Sequence, residues 1–372
     1  MQKEISIGKE ILLTEGVDLL VNLIRIPSIS REEDQAADYL EQWLSSHGLS
    51  PYRVGNNLWC CDEAKEGEDG KGFLPPCSKP TLLLNAHIDT VKPASGYTRD
   101  PYSPQIEGDI LYGLGSNDDG ASLVALIMAY SRLRKKEQPY RMVLSLTAQE
   151  EISGREGIEA LFPYLGEISL GIMGEPTGMR MAVAERGLMV LDCTSHGKSG
   201  HAARNEGDNA LYHAIDDISW FRNTVLDRVS DHLGPVKMTV TQISAGTQHN
   251  VIPAECSFVV DVRPNGLYSN IELLSIIKES VKCDVKERST RLGSSHIPMD
   301  HPVVKRGLSL GMEAFGSPTT SNQAVSPFTT LKIGPGDSSR SHTADEYIFI
   351  SEIEKGVEGY MALLDSLDIR QQ

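Results

Sequence analysis

The stretch RMVLSLTAQEEISG, Arg141–Gly154, decides how the rest of the chain is read. Met142, Val143, Leu144 and Leu146 make its first half a buried strand. Two acids then stand side by side, Glu150 and Glu151. Adjacent like charges repel, and burying either without a partner is costly. Either water solvates both, or something positive sits nearby. Neighbours on an ideal strand point to opposite faces, so a shared partner requires the pair to lie in the loop just past the strand.

Outward from this strand the same texture recurs. Apolar runs at about residues 81–88 and 170–173 read as further strands, and a helix is expected over about 121–135. Upstream, helices are expected over about 12–25, stopping before Pro27, and over about 32–46. Residues 63–80, rich in charge, Gly and Pro, read as a solvated loop. Strands alternating with helices predict an α/β layer with helices on both faces. From about Met181 the order becomes strand (182–195), helix (208–228), strand (236–244), strand (255–263), helix (270–281), strand (284–289). That βαββαβ order is the ferredoxin-like unit. A helix over 302–315, a strand over 330–333 and a helix over 350–367 can return to the first sheet. The expected organisation is therefore one α/β domain, residues 1–181 and 295–372, interrupted by a smaller one, residues 182–294.

Composition narrows the function. The chain has 372 residues, 40% of them hydrophobic, enough for a sizeable core. A formal charge of −16 argues against nucleic acid or an anionic membrane as partner and is compatible with a site that attracts cations. No apolar run is long enough to span a bilayer. The start, MQKEISIGKEILL, lacks the pattern of a signal peptide. Cys60, Cys61, Cys77, Cys193, Cys256 and Cys283 are too scattered for a disulfide framework and form no C-x-x-C pair. The expectation is a cytoplasmic protein with reduced thiols.

Polar residues then gather where strands end. TLLLNAHIDT carries His87 and Asp89, whose i, i+2 spacing puts imidazole and carboxylate on one face. LYGLGSNDDGASL brings Asp118 and Asp119 to a helix start, where one Asp is readily an N-cap and two are harder to explain. Its Gly113-x-Gly115 is not a dinucleotide loop, because the third glycine position holds Asp118, which would repel pyrophosphate. GIMGEPTG ends an apolar run with Glu175, and Pro176 fixes the turn. KIGPGDSSRSHTADEY places His342 after a Gly-Pro-Gly loop. Each residue alone is as readily a turn or surface group. As a set, two His and several carboxylates at the carboxyl ends of strands suit two divalent cations. Such ions would stabilise the doubled acid, with one glutamate binding metal and its neighbour serving as general base.

On these motifs, from LIRIPSIS to SHTADEY, nearly the whole chain resembles the zinc-dependent amidohydrolase and peptidase family of acetylornithine deacetylase, succinyl-diaminopimelate desuccinylase and bacterial glutamate carboxypeptidase. The resemblance implies a two-metal aminopeptidase-like catalytic domain with an inserted lid and dimerisation domain. It implies that His87 and Glu175 bind one zinc, Glu151 and His342 the other, and Asp118 both; cobalt or manganese would fit the same ligands. Glu150 would be the general base, Asp89 would orient His87, and a cis peptide would follow Asp118. GKSGHAAR would supply His201 to the partner subunit's site as an oxyanion donor. QHNVIPAECSFVVDVRP would supply Asn250 and Arg263 to the substrate, and AERG would add Arg186, although each arginine is also apt for a structural salt bridge.

The implied reaction is hydrolysis of the amide of an N²-acyl-L-ornithine, with acetylornithine deacetylase the nearest likeness. Succinylornithine, succinyl-diaminopimelate or a dipeptide are the alternative substrates. The implied partners are a small N-acyl amino acid and a second copy of the chain, with no nucleic acid and no membrane. Two departures stand out. Asp118-Asp119-Gly120 lacks the lysine common in relatives, and Asn322 replaces an Asp in the substrate-facing TTSNQA loop.

Overall fold

The computed structural model describes residues 2–204 and 206–370, with side chains from Leu13 onward. It divides into two compact units. The first comprises residues 1–183, 297–315 and 326–372; the second comprises 184–296 and 316–325, the last a segment that the sequence reading leaves with the first.

The first unit is built on a mixed sheet. Its strands run in the order Pro51–Val54, Asn57–Cys60, Arg141–Thr147, Thr81–His87, Leu170–Met173, Thr330–Lys332, with Lys332 then pairing antiparallel to Ala182. Thr81–His87 lies parallel to both Arg141–Thr147 and Leu170–Met173. All seven residues of Thr81–His87 and all seven of Arg141–Thr147 are buried. That is why they read as unbroken apolar runs: a parallel strand covered on both faces has no solvent side to mark. The covering helices include Gln2–Ile24, Ala121–Leu133 and Ile350–Leu364, the last two packed on each other. Leu82, Leu84, Leu126, Leu144, Tyr360 and Leu363 lie in the shared core.

The second unit carries a sheet in the order Lys237–Ala245, Glu255–Arg263, Met189–His196, Asp284–Glu287, all antiparallel. Helices Ala210–Asn223 and Asn270–Ser280 fall between its strands, so the chain order is β-α-β-β-α-β. Met189, Leu191, Cys193, Phe258, Val260 and Val262 alternate inward and form a separate core.

Local differences from the sequence reading have local causes. The strand expected over 182–195 is two strands, Met181–Glu185 and Met189–His196. At the break, a Cβ on Gly187 would lie 2.6 Å from the Leu292 carbonyl, so the backbones approach too closely for a regular ladder with a side chain. The helix expected to reach Phe315 ends at Ser309, because Gly311 turns left-handed at φ +82°, and Ala314–Ser317 is a strand. The hairpin Pro51–Val54 and Asn57–Cys60, and the small sheet of Gln105–Glu107, Ile110–Tyr112 and Tyr347–Phe349, carry no pattern strong enough to predict.

Candidate metal centre

His87 is the last residue of its strand and is 2% exposed. Its Nε2 lies 3.1 Å from Asp118 Oδ1 and 3.9 Å from Glu150 Oε2. Its Nδ1 lies 2.9 Å from the Asp89 carbonyl and 3.5 Å from the Asp89 carboxylate. Nδ1–H therefore has its acceptor and Nε2 is turned into the site, the arrangement a ligating histidine needs. Glu150 and Glu151 follow their strand in a loop, where both can face one partner. Glu151 meets His342 Nε2 at 2.9 Å, and Asp118 Oδ2 lies 3.7 Å from the same nitrogen. Glu175 follows Leu170–Met173, and its donor atom falls within 4.8 Å of those of His87 and Glu150. His87, Asp118 and Glu151 form a second set of the same span. The peptide between Asp118 and Asp119 is cis.

The charge balance of this cluster is informative. Burial, with Glu151 and Asp89 nearby, pushes the Glu150 carboxyl well above the usual range. Burial, with Glu150 nearby, does the same to Glu175, and burial raises Glu151. Burial alone would favour a neutral His87, yet its contacts with Asp118 and Asp89 prevail and hold its pKa well above the histidine range. Asp118 stays low, because the His87 contact outweighs its own desolvation. The hydrogen bond to Glu151 lifts His342 to about 9. Protons thus take up a surplus of converging negative charge that divalent cations would neutralise directly. Two imidazoles with carboxylates at these separations fit such ions, and His342, 53% exposed, leaves one side open to solvent.

What holds the ligands is less visible in sequence. Asp89, 1% exposed, does more than face His87. Its carboxylate accepts the Glu150 N–H at 3.0 Å, the Glu151 N–H at 3.2 Å and the Ser30 hydroxyl at 2.7 Å. The buried Glu33 accepts the N–H of Gln149 at 3.2 Å. Glu346 accepts three backbone N–H groups around Asp118. The Asn117 amide donates to the Asp337 carbonyl and the Ser341 hydroxyl, which lead into His342. Sequence reading gives Glu33, Asn117 and Glu346 no role. For Asn117 and Glu346 the only signal is a polar residue close to a ligand motif, and Glu33 lacks even that.

The remaining candidates lie in the second unit. His201 is exposed, in the two-residue strand Gly200–His201 paired with Val251–Ile252, and its Nδ1 accepts the Ala203 N–H. Asn250 is exposed beside that ladder. Arg263 is partly buried, forks onto Asp261 and donates to Thr320. Arg186 departs from the expected role as an anion contact. It is 4% exposed, and its guanidinium donates to the carbonyls of Pro235 at 2.9 Å, Arg263 at 3.1 Å and Leu233. These three bonds brace the chain around it.

Comparison with known proteins gives the family. Residues 83–366 match the model of peptidase family M20/M25/M40. A succinyl-diaminopimelate desuccinylase of Dinoroseobacter shibae is 30% identical over 72% of this chain and 72% of its own length. The relatives of this kind carry the desuccinylase name, whereas the sequence resemblance places acetylornithine deacetylase nearest. Among solved structures, aminopeptidase PepT from Bacillus cereus superposes with a TM-score of 0.75 at 19% identity, over 95% of this chain and 98% of its own. YXEP of Bacillus subtilis, a dinuclear metal-binding peptidase, gives 0.69 at 16%, over 95% and 98%. These likenesses show the fold. With the family model spanning most of the sequence, the chain belongs to peptidase family M20/M25/M40 and is a metal-dependent hydrolase of that family.

Proposed function

We propose that the protein hydrolyses the amide bond of an N-acylated amino acid, with two divalent ions held by His87, Asp118, Glu151, Glu175 and His342. The observation that carries this reading is the convergence of two donor sets on His87. One set adds Glu150 and Glu175, the other Asp118 and Glu151, and His342 Nε2 lies 2.9 Å from Glu151 and 3.7 Å from Asp118. The ions, zinc by donor type, supply Lewis acidity toward the acyl oxygen and toward water. Glu150 is kept for the proton. Its loop position is fixed through its backbone by Asp89, which leaves the carboxylate free to accept a proton from the attacking water. As the tetrahedral carbon collapses, the C–N bond breaks and Glu150 returns that proton to the leaving amine. His201, supplied by a second copy of the chain through a lid formed by the second unit, donates to the oxyanion. Asn250 and Arg263 meet the substrate's polar groups, and the need for His201 from a second copy makes the proposed working form a homodimer.

For the acyl group, the names of relatives favour succinyl on diaminopimelate. A second reading, acetyl on ornithine, draws on Arg186. A succinyl carboxylate needs an additional cation or donor, and that guanidinium is already committed. The test is steady-state hydrolysis of N-succinyl-diaminopimelate, N²-succinyl-ornithine, N²-acetyl-ornithine and a dipeptide by metal-loaded protein, before and after dialysis against chelator. Hydrolysis of one acyl compound that chelation abolishes and metal restores is the expected result. Turnover that survives complete metal removal would end the two-metal reading, and turnover of the dipeptide alone would end the N-acyl assignment.

A further inference from the structure

Asp118 and His342 come from segments more than 200 positions apart, yet both must be in place before an ion can use them. The loop leading to Asp118 turns its backbone N–H groups toward one point. Glu346, 2% exposed, fills that point. One carboxylate oxygen accepts the N–H of Asn117 and of Asp118, each at 2.9 Å, and the other accepts the N–H of Gly115 at 3.0 Å. The Glu346 carbonyl accepts the Gly113 N–H at 2.9 Å, and Tyr347 continues the contact by pairing with Tyr112. Asp345, one residue earlier, takes the N–H of Thr98 and of Arg99. From the other side, Asn117 receives the Asp337 N–H at 3.0 Å and gives its amide hydrogens to the Asp337 carbonyl and the Ser341 hydroxyl. The Asp118 loop and the segment carrying His342 are thus stitched together by buried and partly buried bonds that involve neither ligand side chain.

We infer that Glu346 is a positioning residue: it pre-forms the Asp118 loop, and through it fixes the bridging carboxylate relative to His342, before metal arrives. This rests on the two-metal reading above. The chemistry of the pocket is demanding. Three buried N–H groups face one side chain, so only an acceptor on both arms satisfies them. A glutamine keeps one oxygen but turns an NH₂ toward a backbone N–H. Donor then faces donor, and the loop must move. Residues that orient ligands in this way typically alter metal affinity by about 10–100-fold.

The experiment uses full-length protein stripped by chelator and titrated with Co²⁺, followed by calorimetry and visible absorption. The Glu346→Gln variant is compared with wild type and with Tyr140→Phe. The control loses a buried hydrogen bond of the same unit, from the Tyr140 hydroxyl to the Leu364 carbonyl at 2.8 Å, with no link to the ligand loops. Hydrogen exchange of the peptide spanning residues 113–120 is measured without metal. Glu346→Gln should weaken Co²⁺ binding about 10–100-fold, change the absorption at saturation and speed exchange in that peptide, with Tyr140→Phe unchanged in all three. Co²⁺ affinity within twofold of wild type overturns the proposal, even if exchange rises, and so does an equal loss in Tyr140→Phe. Wild-type protein that takes up no Co²⁺ would instead bring down the two-metal reading, an outcome separable from the variant's own.

Discussion

The ligand loops of the first unit and the His201 ladder of the second handle polar groups in opposite ways. Around His87 the chain is held largely by carboxylates that accept backbone N–H groups in buried or partly buried positions. Asp89 takes the N–H groups of Glu150 and Glu151, and Glu346 takes those around Asp118. The functional carboxylates are therefore free to converge while their chain is held elsewhere. In the second unit His201 stands in solvent on a ladder only two residues long, with Asn250 exposed beside it, and among the described residues the His201 ring accepts only the nearby Ala203 N–H. The difference teaches where organisation is spent. Charges that must coexist at short range need a rigid frame, since water would otherwise separate them. A group that acts only when something docks on it can wait in solvent.

The largest expected effect comes from breaking the first region at its least structural point. Glu150→Gln keeps the side chain's shape and leaves the Asp89 bond untouched, because that bond is made by the Glu150 backbone N–H. It removes the proposed proton acceptor alone. Turnover should fall by about 10²–10⁴-fold, with metal content, measured by elemental analysis, unchanged. Loss of metal along with turnover would move Glu150 from base to ligand, a position its donor distance from His87 and Glu175 permits. Next in size is His201→Asn in the second region. Losing the oxyanion donor proposed above should lower kcat by about 10²–10³-fold. Co²⁺ affinity should stay constant, because no ligand loop involves His201. A change in metal affinity with kcat intact would erase the contrast between the regions.

The contrast also marks what the sequence makes legible. The His87 and Glu150 strands are readable because burial on both faces writes a continuous apolar run, and polar residues that end such runs stand out. The ligands are visible because metals select few side-chain types. The frame is not. Glu33, Asn117 and Glu346 bond to backbone N–H and carbonyl groups, which every residue possesses, so no partner residue betrays them. The hairpin over residues 51–60 is hidden for a related reason. Its strands are four residues each, one only partly buried and the other wholly buried, so neither shows a period. Glycine at the turn, Gly55 at φ +60°, is its one cue. The length of a helix such as Pro302–Ser309 depends on one left-handed residue, Gly311, that composition does not distinguish from other glycines.

Arg186 gives the smallest and sharpest test, because it looks like a substrate residue in sequence and like a brace in the structure. In AERG it is a cation next to an acid, free in principle to meet an anion. Folded, its guanidinium reaches the carbonyls of Leu233, Pro235 and Arg263, and burial, with Arg263 nearby, lowers its pKa. Lysine retains the charge but presents a compact ammonium in place of a planar fork, so it cannot serve all three carbonyls. A buried carbonyl left unpaired costs about 1–3 kcal/mol. Arg186→Lys should therefore lose stability on that scale in denaturant unfolding of the second unit's transition, with KM and kcat within about twofold of wild type once the folded fraction is corrected for. A KM that rises tenfold or more at unchanged stability would return Arg186 to the substrate. It would also supply the cation that a succinyl carboxylate needs, and tip the choice of acyl group toward the desuccinylases.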